Sequence, residues 1–285
     1  MKYNQISFMS DYLNYTFTDD AAFVRTYDEL PLWSAPFGLL LLEQLPIKRH
    51  MHIADMGCGT GFPLLELAAR YGSSCTFYGV DTWTNANART KEKISSYNLK
   101  NVQLLECSAH QTPLQNQSLD LIVSNLGVNN FDYVDLVFQE CKRLLKPNGT
   151  LAITTNLNGH WHLFYQCFEQ VLQQLHANEA LKLLQAQQEH RRTAAACSAL
   201  FKSNGFEVVK IVESQFAMRF LDGTAFLNHH FVQVGWLSTW LQLIEPAQRA
   251  EVFSLLEQQL NQVAEATGEL RLQVPMLYIE GKVAL

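Results

Sequence analysis

The sequence has few charged residues, no long apolar run and little positive charge, and each of these absences excludes a class of protein. Charged residues make up 17% of the 285 positions and the formal net charge is -6, so the chain lacks the basic surface with which proteins bind nucleic acid. The longest strongly apolar run, Leu39 to Leu42, is far too short to span a bilayer. The N-terminal residues contain no apolar segment typical of a secretory signal. We therefore expect a cytoplasmic protein with no membrane span, no nucleic acid partner and a small molecule as ligand.

The six cysteines also lack any regular spacing. There is no CxxC pair and no Cys/His cluster at the spacing of a zinc site. We expect reduced, mostly buried thiols and no metal site.

Apolar segments alternate with helical patterns from residue 51 onward. Buried strands are predicted at 51–56, 76–80, 102–107, 119–124 and 150–155, with helices at 63–71, 85–97 and 133–145. This βα repeat predicts an α/β fold, in which a parallel sheet carries helices on both faces. The flanking segments are predicted as an irregular arm at 23–34, helices at 36–45, 160–203, 222–243 and 246–264, and strands at 206–216 and 277–284.

Three glycines stand at alternate positions after the first predicted strand, in the segment IADMGCGTGF. Gly57, Gly59 and Gly61 allow a tight turn and bring backbone N–H groups and a helix N-terminus close to a ligand. Asp81 ends the next strand, 20 residues after Gly61, where an acidic side chain can accept hydrogen bonds from both ribose hydroxyls. The spacing G-x-G-x-G differs from the G-x-G-x-x-G of dinucleotide-binding proteins.

The segments IADMGCGTG, YGVDTW, SLDLIVSNLG and LLKPNGTLAIT, in this order, resemble class I S-adenosylmethionine-dependent methyltransferases of the UbiE/BioC-like (methyltransferase type 11) small-molecule group. The resemblance covers about residues 50–157. It implies a Rossmann-like fold with a mostly parallel seven-stranded sheet, S-adenosylmethionine as cofactor and S-adenosylhomocysteine as product. We expect an N-terminal arm and helix at 1–46 and a methyltransferase domain at 47–285, with a helical lid-like insertion at about 218–268.

The resemblance also implies which residues hold the methionine and ribose parts of the cofactor. It places Gly57, Gly59 and Gly61 under these two parts and Asp55 near the amino group. Asp81 matches the acidic residue that binds the ribose hydroxyls.

The remaining cofactor contacts implied by the resemblance follow later strands. Thr82 and Trp83 would border the adenine, although Trp83 could instead pack in the core. The family often has an Asp-Ala pair whose carboxylate reaches the adenine amino group; here Ser108 and Ala109 stand in its place, and either the serine hydroxyl or the Ala109 backbone would make the contact. Asn125 would face the methionine part.

Aromatic residues in the N-terminal segment YDELPLWSAPFG could close the cofactor pocket or pack on the sheet edge. Aromatic faces attract a sulfonium cation. We expect Tyr27 and Trp33 to close the pocket.

Methyl transfer from a sulfonium requires an aligned nucleophile and exclusion of water, and a neutral histidine can serve as a base. The candidates for a base or an orienting group are His110, His160 and His162. At most one of the last two would face the site. The alternative for His110 is a loop residue that contacts cofactor or solvent.

Residues 222–243 are rich in aromatics and either pack internally or cover the acceptor. Candidate substrate contacts are Asn129, His229 and His230, and an aromatic lid would suit an apolar or aromatic acceptor. The sequence thus predicts methyl transfer from S-adenosylmethionine to a small, apolar or aromatic acceptor by in-line displacement, in a monomer or homodimer.

Three alternatives remain. The chain could be a cofactor-binding regulatory or interaction protein on the same fold. A nucleic-acid methyltransferase would show an N/D-P-P-Y/F motif after the fourth strand, where this chain has SNLGVNNF. An arsenic methyltransferase would need several thiols near the site.

Overall fold

The computed structural model describes residues 11–16, 18–189 and 191–283. Two units each make most of their contacts internally. The sheet unit consists of the described residues of Asp19–Asn158, Arg191–Phe216 and Pro275–Leu285. The helical unit consists of those of Met1–Thr18, Gly159–His190 and Ala217–Val274.

The strands of the described chain form one sheet. They are β1 (His52–Met56), β2 (Thr76–Val80), β3 (Val102–Leu105), β4 (Leu119–Asn125), β5 (Leu145–Asn156), β6 (Phe206–Phe220) and β7 (Leu270–Val283). Their order in the sheet is β3-β2-β1-β4-β5-β7-β6. The pairings among β3, β2, β1, β4 and β5 are parallel, and β7 runs antiparallel to β5. The predicted α/β fold with a mostly parallel seven-stranded sheet is confirmed.

The helices of the sheet unit precede β1 or connect the strands. They are α1 (Ala21–Glu29), α2 (Ser34–Gln44), α3 (Leu64–Tyr71), α4 (Thr84–Ser96), α5 (Val134–Leu144) and α8 (Ala194–Ser203). Because β1 to β4 are parallel, the segments that follow Met56, Val80, Leu105 and Asn125 all emerge at one edge of the sheet. A ligand of an open α/β sheet binds at this edge.

The helical unit is built from the other helices. They are α6 (His162–Gln174), α7 (Asn178–Glu189), α9 (Gly223–Asn228), α10 (His230–Val232), α11 (Ser238–Gln242) and α12 (Arg249–Thr267). A π-helical stretch, Gln233–Leu237, joins α10 to α11. Within the described ranges, no helix combines the length and the apolar character needed to cross a membrane.

An aromatic cluster fills the interior of the helical unit. Trp161 is fully buried and adopts a positive φ of 52°. Its ring lies 4.6 Å from that of Trp236 and 5.3 Å from that of Phe226, measured between ring centroids. Phe164 and Trp240 continue the cluster, with centroids 4.4 Å apart. Burial of these large rings supplies the main hydrophobic stabilisation of this unit.

A buried carboxylate on α5 is one exception to the apolar core of the sheet unit. Glu140 accepts hydrogen bonds from the Thr112 N–H at 2.8 Å and hydroxyl at 2.7 Å, and from Arg143 Nη2 at 2.7 Å. Burial raises the pKa of Glu140, but the bonds from Arg143 and Thr112 outweigh it and lower the pKa below its ordinary value. The hydrogen bonds from Thr112 therefore tie α5 to the loop after β3.

Three segments differ from the sequence-based expectation. The predicted irregular arm at 23–34 is wrong for most of its length, because α1 begins at Ala21 with Asp20 Oδ1 accepting from the Phe23 N–H at 2.8 Å. Strand β5 begins at Leu145, before the Pro-Asn-Gly turn signal, because Leu145 pairs with Leu119 ahead of a register shift. Strand β7 begins at residue 270 and extends through Pro275.

The two units are also bounded differently from the predicted domains. Residues 19–46, expected to form a separate arm and helix, belong to the sheet unit, while residues 159–189 group with the 217–274 segment. The lid role of the predicted insertion at 218–268 stays a prediction.

Candidate active site

A cavity of about 400 Å³ lies in the sheet unit, among the segments that follow β1, β2, β3 and β4. Its volume is within the range of small-molecule sites. It brings together many of the residues singled out from the sequence: Tyr27, Gly57, Gly59, Asp81, Thr82, Trp83, Ser108, Ala109, His110 and Asn125.

The glycine loop is held against the end of β2. The Gly57 N–H donates to the Val80 carbonyl at 2.8 Å, and the Gly59 N–H donates to Asp81 Oδ2 at 2.7 Å. All three glycines have positive φ, between 49° and 96°. The turn therefore requires residues that tolerate the left-handed region.

The three glycines are needed for different reasons. A Cβ added at Gly59 would meet no atom within 4 Å, so the loop leaves open space there, on the wall of the cavity. A Cβ at Gly61 would lie 2.9 Å from Thr90 Cγ2 and 3.0 Å from Leu65 Cδ1, because Gly61 lets α3 and α4 approach each other. Gly59 is thus the glycine of the loop that leaves open space for a ligand beside its backbone.

Asp81 organises the loop and still has acceptor capacity. Its Oδ2 accepts from Gly59 and its Oδ1 accepts from the Trp83 N–H at 2.9 Å. Each carboxylate oxygen has a second lone pair. The side chain lines the cavity, so it can also accept hydrogen bonds from a ligand.

Asp55 is a fully buried carboxyl group at the end of β1. Neither of its oxygens makes a well-formed hydrogen bond with the described residues. Burial, with a contribution from the charge of Asp81, raises the pKa of Asp55 to about 8, and a weak interaction with the Leu64 N–H offsets part of the rise. An unpaired buried carboxyl beside a second carboxylate favours a cation nearby.

Aromatic rings cover the β2 side of the cavity. Tyr27 meets Trp83 edge to face with centroids 5.7 Å apart, and Phe23 lies 6.0 Å from Trp83. The indole N–H of Trp83 donates to Asp19 Oδ1 at 2.9 Å. Tyr27 and Trp83 both line the cavity. Trp33, expected beside them, packs on Phe37 and Phe216 instead.

Ser108 and His110 form a polar pair on the β3 side. Ser108 Oγ lies 2.7 Å from His110 Nδ1, and Tyr133 contacts the imidazole edge to face at 5.7 Å between centroids. All three line the cavity. Because β2 separates β3 from β1 and β4, this pair lies beyond Asp81 when viewed from the glycine loop.

Asn125 and Asn129 follow β4 but have different surroundings. Asn125 lines the cavity, donates to the Ser34 carbonyl at 3.2 Å and accepts from the Thr154 hydroxyl at 2.7 Å. Asn129 is bonded to strand-end residues, accepting from Thr155 Oγ1 at 2.6 Å and donating to Asn156 Oδ1 at 2.9 Å. A substrate contact by Asn129 stays a prediction.

The other candidate histidines lie in the helical unit. His160 is 5% exposed and packs on Trp161 and Tyr165, whereas His162 is exposed at the start of α6. His229 is half-buried against Phe220, and its Nδ1 has no partner within the described chain.

The exposed His230 contacts the ring of Tyr15, with centroids 6.4 Å apart. The proposed roles of these four histidines in acid–base chemistry or substrate binding stay predictions.

Several lining residues were not found from the sequence. Ser34, Phe62, Phe131 and Tyr133 all line the cavity. Phe62 and Phe131 lie within six residues of the ends of β1 and β4, which is the signal that could have identified them. Ser34 had no such signal, because α2 reaches the site only through the folded structure.

These features fit a nucleoside that carries a positive charge. Asp81 offers a hydrogen-bond acceptor for ribose, Gly59 leaves space at the backbone, and Asp55 supplies an uncompensated acidic group. The aromatic faces of Tyr27 and Trp83 suit a planar base or a cation.

Comparisons with known proteins agree with this geometry. Residues 54–153 match the family described as methyltransferase domain. A demethylmenaquinone methyltransferase of Lactobacillus johnsonii is 28% identical over 180 residues, which is 60% of this chain and 74% of that protein. A demethylmenaquinone methyltransferase of Bacillus mycoides is 30% identical over 106 residues, which is 37% of this chain and 44% of that protein.

A solved structure shares the fold over nearly the whole chain. The Haemonchus contortus phosphoethanolamine N-methyltransferase 2, in complex with S-adenosyl-L-methionine, aligns with a TM-score of 0.58 at 18% identity, covering 99% of this chain and 61% of that one. The sequence motifs, the sheet order and the family match agree that residues 54–153 carry a methyltransferase domain of the S-adenosylmethionine-dependent type.

Proposed function

We propose that the chain transfers the methyl group of S-adenosylmethionine to a small, uncharged aromatic acceptor, and that a hydroquinone ring is the favoured class. The observation that carries this proposal is the composition of the cavity. Among its described lining residues there is no lysine or arginine, while Phe62, Leu126, Phe131 and Tyr133 contribute apolar surface. A phosphate or carboxylate on the acceptor would find no cationic partner there.

The cofactor supplies an activated methyl group, so the protein has to align the acceptor and exclude water. Asp81 accepts hydrogen bonds from the ribose of the cofactor, and Gly59 leaves the space that the ribose needs. Asp55 holds a proton in the ligand-free protein, and a cationic cofactor nearby would lower its pKa, so that the carboxylate compensates the positive charge. The aromatic walls exclude water and present flat apolar surface to a ring.

His110 is better placed to contact the cofactor than to accept a proton from the acceptor. It follows β3, which β2 separates from β1 and β4, and it pairs with Ser108, although its ring also contacts Tyr133 from the segment after β4. A nucleoside bound at Asp81 would direct its base toward this pair and its methyl group away from it. We therefore propose a cofactor contact for Ser108 and His110, and the proton that a hydroquinone loses when it accepts the methyl group passes to solvent.

The bacterial relatives are named for methylation of demethylmenaquinone. This supports a quinol-type acceptor, whereas the absence of a cation among the described lining residues disfavours a phosphorylated amine of the kind named for the Haemonchus contortus enzyme.

The test is a methyl-transfer assay with labelled S-adenosylmethionine and two matched acceptors. A reduced 1,4-naphthoquinone with one short prenyl chain should accept label, and phosphoethanolamine should not. Calorimetric titration with S-adenosylhomocysteine first establishes that the protein is folded and binds cofactor. Transfer to phosphoethanolamine alone would reject the proposed acceptor class, and cofactor binding without transfer to any acceptor would favour the regulatory alternative.

A further inference from the structure

The backbone conformation at Gly38 does not require a glycine. This residue is buried in the middle of α2 and is not among the described residues with positive φ. Glycine inside a helix costs about 0.5–1 kcal/mol relative to alanine. A side chain must therefore be excluded there by something outside the helix.

The excluded space is filled by the ring of Phe62. A Cβ added at Gly38 would lie 2.1 Å from Phe62 Cε1 and 2.5 Å from Cζ. These distances are far below any van der Waals contact. Phe62 directly follows the glycine loop and lines the cavity, so its ring occupies the space between α2 and the ligand site.

Helix α2 is anchored, and the Phe62 ring is the part that can move. Phe37 is fully buried and meets Phe216 edge to face with centroids 5.8 Å apart. The Ser34 carbonyl at the start of α2 accepts from Asn125 Nδ2. These contacts fix α2 within the packed sheet unit, whereas Phe62 borders the cavity. A methyl group at position 38 would therefore displace the Phe62 ring rather than the helix.

Phe62 lies at the end of the cavity where the transferable group belongs. Ser34, Phe62 and Asn125 are contributed by α2 and by the ends of β1 and β4, whereas Asp81 and Ser108 follow β2 and β3. A nucleoside whose ribose is held at Asp81 extends its base toward β3. Its sulfonium end therefore extends toward the β1 and β4 side.

We propose that the Phe62 ring is the specificity-determining wall at the sulfonium end of the cavity. Gly38 is its positioning residue, because the absence of a side chain at position 38 leaves the space that the ring occupies. The wall limits the size of the group that the sulfonium can carry. This inference uses the cofactor assignment and is independent of the acceptor proposed above, so failure of one leaves the other intact.

The test compares the binding of two sulfonium ligands that differ by one methylene, S-adenosyl-L-methionine and S-adenosyl-L-ethionine, by calorimetry. One methylene against a fitted apolar wall changes affinity about tenfold or more. The wild-type protein should prefer the methyl ligand by this factor. The variant Phe62→Ala should bring the two affinities within about threefold.

Gly38→Ala should increase the preference for the methyl ligand, because the displaced ring narrows the cavity. The double variant Gly38→Ala/Phe62→Ala should match Phe62→Ala, since Gly38 acts through the ring. Gly235→Ala is the matched control, because Gly235 is also helical and has no atom within 4 Å of an added Cβ.

Equal wild-type affinity for the two sulfonium ligands would overturn the proposal, and so would an unchanged ratio in Phe62→Ala. Additive effects in the double variant would remove Gly38 from its positioning role. If Phe62→Ala does not fold, as judged by circular dichroism, Phe62→Leu keeps part of the apolar volume but removes the ring, and it should still lower the ratio.

Discussion

Replacing Asp55 by asparagine should stabilise the ligand-free protein while impairing its function. The folded state holds the Asp55 proton up to a pKa of about 8, whereas the ordinary value is 3.8. Between these two values the folded protein binds more protons at this site than the unfolded chain. The free energy of unfolding therefore decreases as the pH rises through this window. Asparagine cannot ionise, so the free energy of unfolding of the variant does not decrease at this site as the pH rises.

The magnitude follows from the width of the window. Each pH unit between the two pKa values costs at most about 1.4 kcal/mol. A buried asparagine amide without partners costs about 1–3 kcal/mol of its own. At pH 8 the loss reaches about 5 kcal/mol at most, so we expect Asp55→Asn to raise the free energy of unfolding by about 2–4 kcal/mol, and near pH 5 we expect no gain.

Urea unfolding at pH 5, 6.5 and 8, followed by tryptophan fluorescence without cofactor, measures this difference. Asp132→Asn is the control, because Asp132 is exposed and its substitution should not change the pH dependence. Affinity for S-adenosylmethionine, measured by calorimetry at pH 8, should fall in Asp55→Asn. Parallel stability curves for the wild type and Asp55→Asn would refute the raised pKa and the uncompensated burial behind it.

Three further results are expected. Asp81→Ala should weaken binding of S-adenosylhomocysteine by about 1–3 kcal/mol, because hydrogen bonds to a charged group are lost; unchanged calorimetric affinity would remove Asp81 from the site. Gly61→Ala should lower the free energy of unfolding by about 1–3 kcal/mol, whereas Gly59→Ala should reduce cofactor affinity more than stability, and the reverse pattern in urea and calorimetric titrations would contradict the different roles of these glycines. Trp161→Ala should destabilise the protein by about 3–5 kcal/mol, and a urea midpoint equal to that of the wild type would show that the aromatic cluster contributes little.

The parallel half of the sheet was predictable because its signals are local. Buried strands β1, β2 and β4 are short apolar runs, and the glycines that follow β1 have a strict spacing. The structure brings Gly57, Gly59 and Asp81 to one cavity edge, as the alternation of strands and helices implied.

Other elements depend on contacts that the sequence does not display. Strand β7 extends through Pro275, which reads as a break, because the residues after it pair with β5 from Asn156 back to Thr150. Helix α1 had a local signal, the Asp20 cap, but the neighbouring aromatics and prolines concealed it.

The walls of the site were the least predictable part. The sequence indicates both Trp33 and Tyr27 as pocket residues. In the structure they have different neighbours, because Tyr27 lies beside Trp83, whereas Trp33 packs on Phe216 of β6. Phe62 reads as an ordinary residue of a helix start. Its place at the cavity depends on Gly38, 24 positions earlier in the chain, and no local pattern links the two.

The helical unit is assembled from separated stretches of the chain, and this limits how it can be exchanged between proteins. Trp161 comes from the stretch that follows β5, whereas Phe226, Trp236 and Trp240 come from the stretch that follows β6. Recombination that transplants one stretch without the other would leave half of an aromatic core facing water, which favours aggregation. A chimera intended to acquire a new helical unit therefore has to inherit both stretches together, with crossover points inside the sheet strands.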